Sequence, residues 1–168
     1  MTITVRDARE SDLPAVVGLF NALLATTTIE WTDRPHTLEG RRAWLDAHRR
    51  AGHAALVAEV GGEVVGVAAY GDFRDTDRWP GYRFTVEHTI HVRRDQWGAG
   101  VGRRLVDALA AHAAAAGKRV MVAAVTGENV ESVRFHERLG FVEVGRLPGV
   151  GHKADRWLDL VLLQRSLA

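Results

Sequence analysis

The chain has 168 residues, enough for one domain with a substantial core, and its formal net charge is +1. That balance gives no electrostatic case for nucleic acid or an anionic membrane as partner. Cysteine is absent, which excludes disulfides, thiolate metal ligands and a cysteine nucleophile.

Thr2 to Arg6 alternates Ile3 and Val5 with polar neighbours, a short strand signal. Ser11 or Asp12 can cap a helix that tolerates Pro14 in its first turn and turns Leu13, Val16, Val17, Phe20, Leu23 and Leu24 inward. After the polar run Thr26 to Thr28, a Thr37 cap starts a second helix that carries Trp44 and Leu45 toward the core. Ala55–Val60 and Glu63–Tyr70 form a hairpin across Gly61-Gly62. Asp72 to Gly81 reads as a loop and Tyr82 to Val92 as a long strand. Gly98 to Ala116 is helical after its first turn, Arg119–Val125 is a buried strand, and Asn129 caps a helix over Val130–Leu139. Phe141–Leu147 and Trp157–Gln164 are the last strands. This order predicts an α/β fold: one domain over residues 1–168, a mixed sheet, and helices on both faces. Met1 to Glu10 has no apolar leader core, and no stretch approaches ~18 apolar residues, so a cytoplasmic location is expected.

Two segments can carry chemistry. Gly98, Gly100 and Gly102 stand where a strand ends and a helix begins, a place where backbone N–H groups and the helix dipole attract an anion such as a pyrophosphate. The G-x-G-x-G spacing lacks the final glycine of the dinucleotide fingerprint and has no P-loop Lys-Ser or Lys-Thr pair, so a mere tight turn is the competing reading. The strand Tyr82–Val92 has one wholly polar face, Arg83, Thr85, Glu87, Thr89 and His91. Glu87, its only acid, is either a general base in a cleft or a solvated residue paired with Arg83. His88 and His91 point to opposite faces and cannot share a metal, and no metal is expected. His36, His48, His53 and His112 read as isolated surface residues, and pairs such as Arg41-Arg42 as solvated helix faces. His136, one turn beyond Ser132, either faces the ligand of the glycine loop or is structural.

These segments occur in a particular order. A glutamate strand precedes a glycine loop opening a helix, then a strand, Asn129-Val-Glu-Ser132 and Leu139-Gly140-Phe141. In that order the chain resembles the GNAT superfamily of N-acetyltransferases over nearly its whole length. It is more similar still to the branch that acetylates phosphinothricin and methionine sulfoximine or sulfone. The carrying segments are Thr26–Trp31, Arg41–Trp44, Leu56–Gly66, Tyr82–His88, His136–Phe141 and Val150–Asp159. The resemblance implies a mostly antiparallel mixed sheet of about seven strands and a homodimer.

It also implies acetyl-CoA as co-substrate and a small amino-acid-like acceptor, acetylated on its α-amino group by direct attack on the thioester. Ile90, His91 and Val92 would pair with the pantetheine arm in a splayed gap. Gly98, Ala99, Gly100, Val101, Gly102 and Arg103 would cradle the pyrophosphate, and Asn129 and Ser132 would lie near the thiol. Glu87 would be the base and His136, where many relatives have tyrosine, the acid. Trp31, Arg74, Asp75, Thr76, Arg83, Thr85, His88 and Thr89 would shape the acceptor site. Two departures stand out: Trp97 where the wider family has Gln or Arg, and Lys153-Ala154-Asp155-Arg156-Trp157 where the branch often reads K-F-G-R-W. The competing readings are acetylation of a protein N-terminus or polyamine, and a non-catalytic acyl-CoA-binding module.

Overall fold

In the computed structural model, which describes residues 2–167, three elements precede the glycine-hinged hairpin. They are β1 (Ile3–Asp7), α1 (Leu13–Asn21) and α2 (Leu38–Ala51). The hairpin is β2 (Ala55–Val60) and β3 (Glu63–Asp72), and β4 (Thr85–Val92) follows. The remainder is α3 (Val101–Ala115), β5 (Val120–Thr126), α4 (Val130–Arg138), β6 (Val142–Lys153) and β7 (Arg156–Ser166). The seven strands form one sheet in the order β1-β2-β3-β4-β5-β7-β6. Only β4 and β5 run parallel; every other neighbouring pair is antiparallel.

Side-chain alternation along the strands gives the sheet two apolar faces, and each is covered by helices. Leu13, Val16 and Phe20 of α1 and Leu45 of α2 pack with Val57, Val67 and Ala69 on one face. Val101, Leu105 and Leu109 of α3 pack with Leu56, Ala68, Val86 and Met121 on the other. Leu105 and Leu109 are fully buried, worth roughly 1.5–3 kcal/mol each. The expected cap of α2 is present: Thr37 Oγ1 accepts from the Gly40 N–H at 3.1 Å.

Two strand boundaries differ from expectation. Pro80 to Tyr82 is a 3₁₀ turn, so β4 begins at Thr85 and Tyr82, Arg83 and Phe84 precede it. Pro80 fixes one backbone dihedral at a helical value, which the strand pattern of the following residues conceals. At the other end, Pro148-Gly149 looks like a strand stop. Instead β6 runs on to Lys153, with an irregularity between Leu147 and Gly151. Such a break is tolerated because β6 is the edge strand. Ala154 and Asp155 close the long hairpin with φ of 51° and 55°, so Asp155, one of the departures from the branch pattern, sits in an exposed turn.

The feature that positions the site lies between β4 and β5. Their ladder covers only Thr85–His88 against Val120–Ala123. Beyond it β4 stays paired with β3 and β5 with β7, so the sheet opens into a wedge.

Candidate active site

The wedge holds a cavity of about 200 Å³ whose walls include Glu87, Thr89, Asn129, Ser132, His136 and Trp31. It leads toward a second cavity of about 470 Å³ bounded by Ile90, Val92, Gly98, Gly102, Asn129 and Phe135. Of the expected donor-side residues, the Val101 side chain is buried in the core, while Ile90, His91, Val92, Gly98, Gly102, Asn129 and Ser132 line one groove. Its floor is the half of β4 that β5 leaves unpaired.

At the end of the groove the chain enters α3. Gly98 and Gly100 have φ of 77° and 89°, values that residues with a Cβ rarely adopt. The strain-free turn lets the backbone present the first N–H groups of α3 outward. Arg104 is the first of these to find a carbonyl, that of Gly100 at 3.2 Å, so the N–H groups before it have no partner within the helix. Gly102 is closed in from behind, since a Cβ there would come within 3.0 Å of the Phe135 ring. Trp97 has a structural use: its indole Nε1 donates to the Val92 carbonyl at 2.8 Å and ties this loop to the end of β4. Asn129 accepts from the Ser132 N–H at 3.1 Å, capping α4 beside the groove.

Glu87 is half-buried and, among the described residues, forms no ion pair; Arg83 is not its partner. Burial raises its carboxyl above the ordinary value, and the positive charge of Arg74 only partly offsets this. Arg83 lies outside β4, donates to the Pro80 carbonyl at 2.9 Å and stacks over Phe84. Asp75 accepts from the N–H groups of Asp77 and Arg78, and Thr76 donates to Asp72. Asp75 and Thr76 thus shape the loop, while Arg74 acts on Glu87 through its field.

Two histidines depart from their expected roles. His88 faces away from Glu87 and is buried between the rings of His136 and Phe141. Burial pushes its pKa down to about 3, so it is neutral. The geometry also argues against His136 as proton donor. Its Nδ1 lies 2.7 Å from the Ser132 carbonyl, which can only accept, so Nδ1 carries the proton. Nε2 is then a bare lone pair with no partner among the described residues, and burial lowers the pKa.

The readings of His36, His48, His53 and His112 as isolated and of Arg41 as solvated are corrected too, although His112 does lie at the surface. His91 is buried and its Nε2 meets Glu30 at 2.8 Å, while Glu30 also faces His36 at 3.6 Å. Burial by itself would raise Glu30, but the hydrogen bond from His91, helped by the positive charge of Arg41, outweighs it and holds the carboxyl low. Arg41 is only 8% exposed. His112 bonds the Tyr70 hydroxyl at 2.7 Å, His53 faces Asp72 at 3.5 Å, and the His48 ring packs on Trp44. Arg41, Trp44, Leu45 and His48 share the inward stripe of α2, a periodicity that the sequence displays. The pairing of Glu30 with His91, 61 residues away, has no local signal.

Lys153 was also missed. It is buried, and its Nζ donates to the carbonyls of Leu24 and Glu30 at 2.8 and 2.7 Å. It thereby pins the segment that brings Trp31 over Gly151, where any Cβ would overlap the indole. Lys153→Met should lower stability by about 1–3 kcal/mol, because two carbonyls lose their donor. Urea unfolding checks this, and a raised KM for the acceptor should accompany it.

Comparison with known proteins agrees with this geometry. The model of the acetyltransferase (GNAT) family matches residues 16–141. An L-methionine sulfoximine/L-methionine sulfone acetyltransferase from Pseudomonas paraeruginosa is 45% identical, covering 99% of this chain and 96% of that protein. The crystal structure of a phosphinothricin acetyltransferase from Sinorhizobium meliloti in complex with acetyl-CoA superposes with a TM-score of 0.93. It is 30% identical and covers 100% of this chain and 90% of that one. A ribosomal-protein-alanine N-acetyltransferase from Brucella melitensis gives 0.92 at 37% identity, with 97% and 99% coverage. Matched along three quarters of its length by the family model and nearly end to end by such relatives, the chain belongs to the GNAT family of acetyltransferases.

Proposed function

We propose that the chain transfers the acetyl group of acetyl-CoA to the α-amino group of a small amino acid of the methionine sulfone, methionine sulfoximine or phosphinothricin type. The observation that carries this reading is the position of Glu87: a carboxyl raised by burial, in the wall of the wedge that opens between β4 and β5. The relatives' activities on those amino acids support the choice of acceptor.

The residues present fit the coenzyme. The N–H groups of Gly98 and of Gly100 to Arg103 suit a pyrophosphate, that of Ala99 being taken up by the Gln96 carbonyl, and a side chain at Gly102 would crowd Phe135 in the wall of the same cavity. The unpaired edge of Ile90–Val92 suits the amide groups of a pantetheine arm, with Trp97 already occupying the Val92 carbonyl. Asn129 and Ser132 line the passage between the two cavities. Bound there, the thioester supplies an activated acyl group.

Glu87 has the remaining task. An amine attacks only when neutral, and the α-ammonium of a free amino acid keeps its proton at neutral pH. An ordinary carboxylate at about 4.3 is a poor base for it, and burial of Glu87 narrows the gap. Arg74 stands close enough to act on that carboxyl and on an anionic acceptor beside it. Trp31 walls the far side of the wedge.

The reading extends to a homodimer in the cytoplasm. Val142, Val144, Leu147, Val150 and Trp157 expose apolar surface on the β6–β7 hairpin, which supports the dimer. No helix among the described residues is long and apolar enough to cross a membrane. A second reading, acetylation of a protein N-terminal alanine, is favoured by one observation, the resemblance to the Brucella enzyme. Acceptor-dependent thiol release, measured with free amino acids, peptides and polyamines side by side, separates the two. Turnover of methionine sulfone is expected; turnover of peptides alone would replace the first reading by the second.

A further inference from the structure

The pairing of β3 with β4 sets Gly71 opposite Glu87, Ala69 opposite Thr89 and Val67 opposite His91. Residues directly opposite share a face of the sheet. Gly71 and Ala69 have almost no side chain, and they leave a trough of about 450 Å³ beside Glu87. Helix α2 closes the trough with Arg41, Trp44 and His48.

Arg41 is a buried cation without a carboxylate at contact distance among the described residues. Its guanidinium lies 3.5 Å from the centre of the Phe20 ring and donates to His36 Nδ1 at 2.8 Å. Burial and the charge of Arg41 both push His36 down, so that imidazole is a neutral acceptor. Glu30 turns its two oxygens to His91 and His36 instead. A guanidinium has five N–H donors, and Arg41, with His36 as its one hydrogen-bond partner among the described residues, lines the trough where a ligand can meet others.

The position of Arg41 indicates which part of a ligand that is. Phe20 also packs on the His91 ring, with centroids 4.2 Å apart, so Arg41 stands toward the His91 end of the trough. Glu87 lies four residues along β4, about 13 Å at ~3.3 Å per residue. An α-carboxylate, two bonds from an amine held at Glu87, stays at that end. Only the far end of the acceptor's side chain extends toward Arg41.

We infer that Arg41 binds the oxygen-bearing end of the acceptor's side chain, a sulfone, sulfoximine or phosphinate group, and that Gly71 and Ala69 make room for the chain leading to it. This rests on the amino-acid acetyltransferase reading above. Arg41 thereby sets specificity, preferring an oxygen-tipped side chain to an apolar one of equal length. Both a neutral sulfone and an anionic phosphinate accept N–H bonds, so one guanidinium serves either.

The test compares kcat/KM for methionine sulfone, norleucine and alanine in the wild type, R41Q, R41K and G71V. R41Q should lower the ratio of methionine sulfone to norleucine about tenfold and leave the KM for acetyl-CoA unchanged, with R41K recovering part of the loss. A side chain at Gly71 starts in open space, with nothing within 4 Å of its Cβ, so G71V keeps the fold. G71V should impair methionine sulfone and spare alanine. If R41Q fails to fold, R41K and G71V carry the comparison. Acceptor ratios unchanged from the wild type, or a uniform loss for all three acceptors, overturn the inference and leave the acetyltransferase reading intact. A folded wild type that acetylates no amino acid overturns that reading itself.

Discussion

Glu87→Gln should lower kcat by about 10²–10³-fold while acetyl-CoA still binds, because general-base assistance is typically worth 10²–10⁴. The substitution keeps the size and polarity of the side chain and removes only its ability to take a proton. The pH dependence gives a second readout. Glu87 accepts a proton only when ionised, and burial raises its pKa, so activity should rise as pH rises through that raised value. In E87Q this limb disappears, and what remains reflects the acceptor's own ammonium. Stability is the control. A carboxyl raised in the folded state is penalised once it ionises, so wild-type stability falls as pH climbs through the folded pKa. E87Q lacks that penalty and should be at least as stable at neutral pH. The difference should vanish in acid, where both side chains are neutral. An inactive but stable E87Q therefore reports on chemistry and not on folding.

The second large effect is expected at the glycine cradle. Gly102→Val places a branched side chain whose Cβ falls 3.0 Å from the Phe135 ring. The Phe135 ring must give way or α3 must shift against it, and overpacking of this kind costs about 1–3 kcal/mol. The N–H groups at the start of α3 move with it, and charge-assisted hydrogen bonds tolerate little misplacement. The KM for acetyl-CoA should rise by roughly 10–10²-fold, since each 1.4 kcal/mol is a factor of ten. The acceptor's KM should change little. Initial rates with each substrate varied in turn distinguish the two effects.

The architecture was legible because its signals are local. The Gly61-Gly62 hinge, the Thr37 and Asn129 caps and the alternation of β4 each announce an element within a few residues. Mispredicted boundaries lie where proline occupies a place that the local pattern does not specify. Pro80 sits in a 3₁₀ turn before β4, and Pro148 sits inside an edge strand. The candidate site was legible along β4, the glycine loop and the start of α4, because motif order reflects that path. What escaped depends on contacts distant in sequence. Lys153 reaches the carbonyls of Leu24 and Glu30, and Glu30 meets His91. Neither partnership has a local pattern. His136 shows the limit of reasoning by position: it stands where an acid was expected, yet its one proton is held by its own helix.

The central claim is that an acetyl group passes from acetyl-CoA to the α-nitrogen of a free amino acid beside Glu87. Proton NMR of methionine sulfone incubated with acetyl-CoA and the wild-type protein tests it most directly, with free thiol measured in the same sample. The account predicts N-acetyl methionine sulfone and coenzyme A thiol appearing in equal amounts, both suppressed in E87Q. Acetyl-CoA bound by the protein, with neither product nor thiol formed from methionine sulfone or any other amino acid, would contradict it.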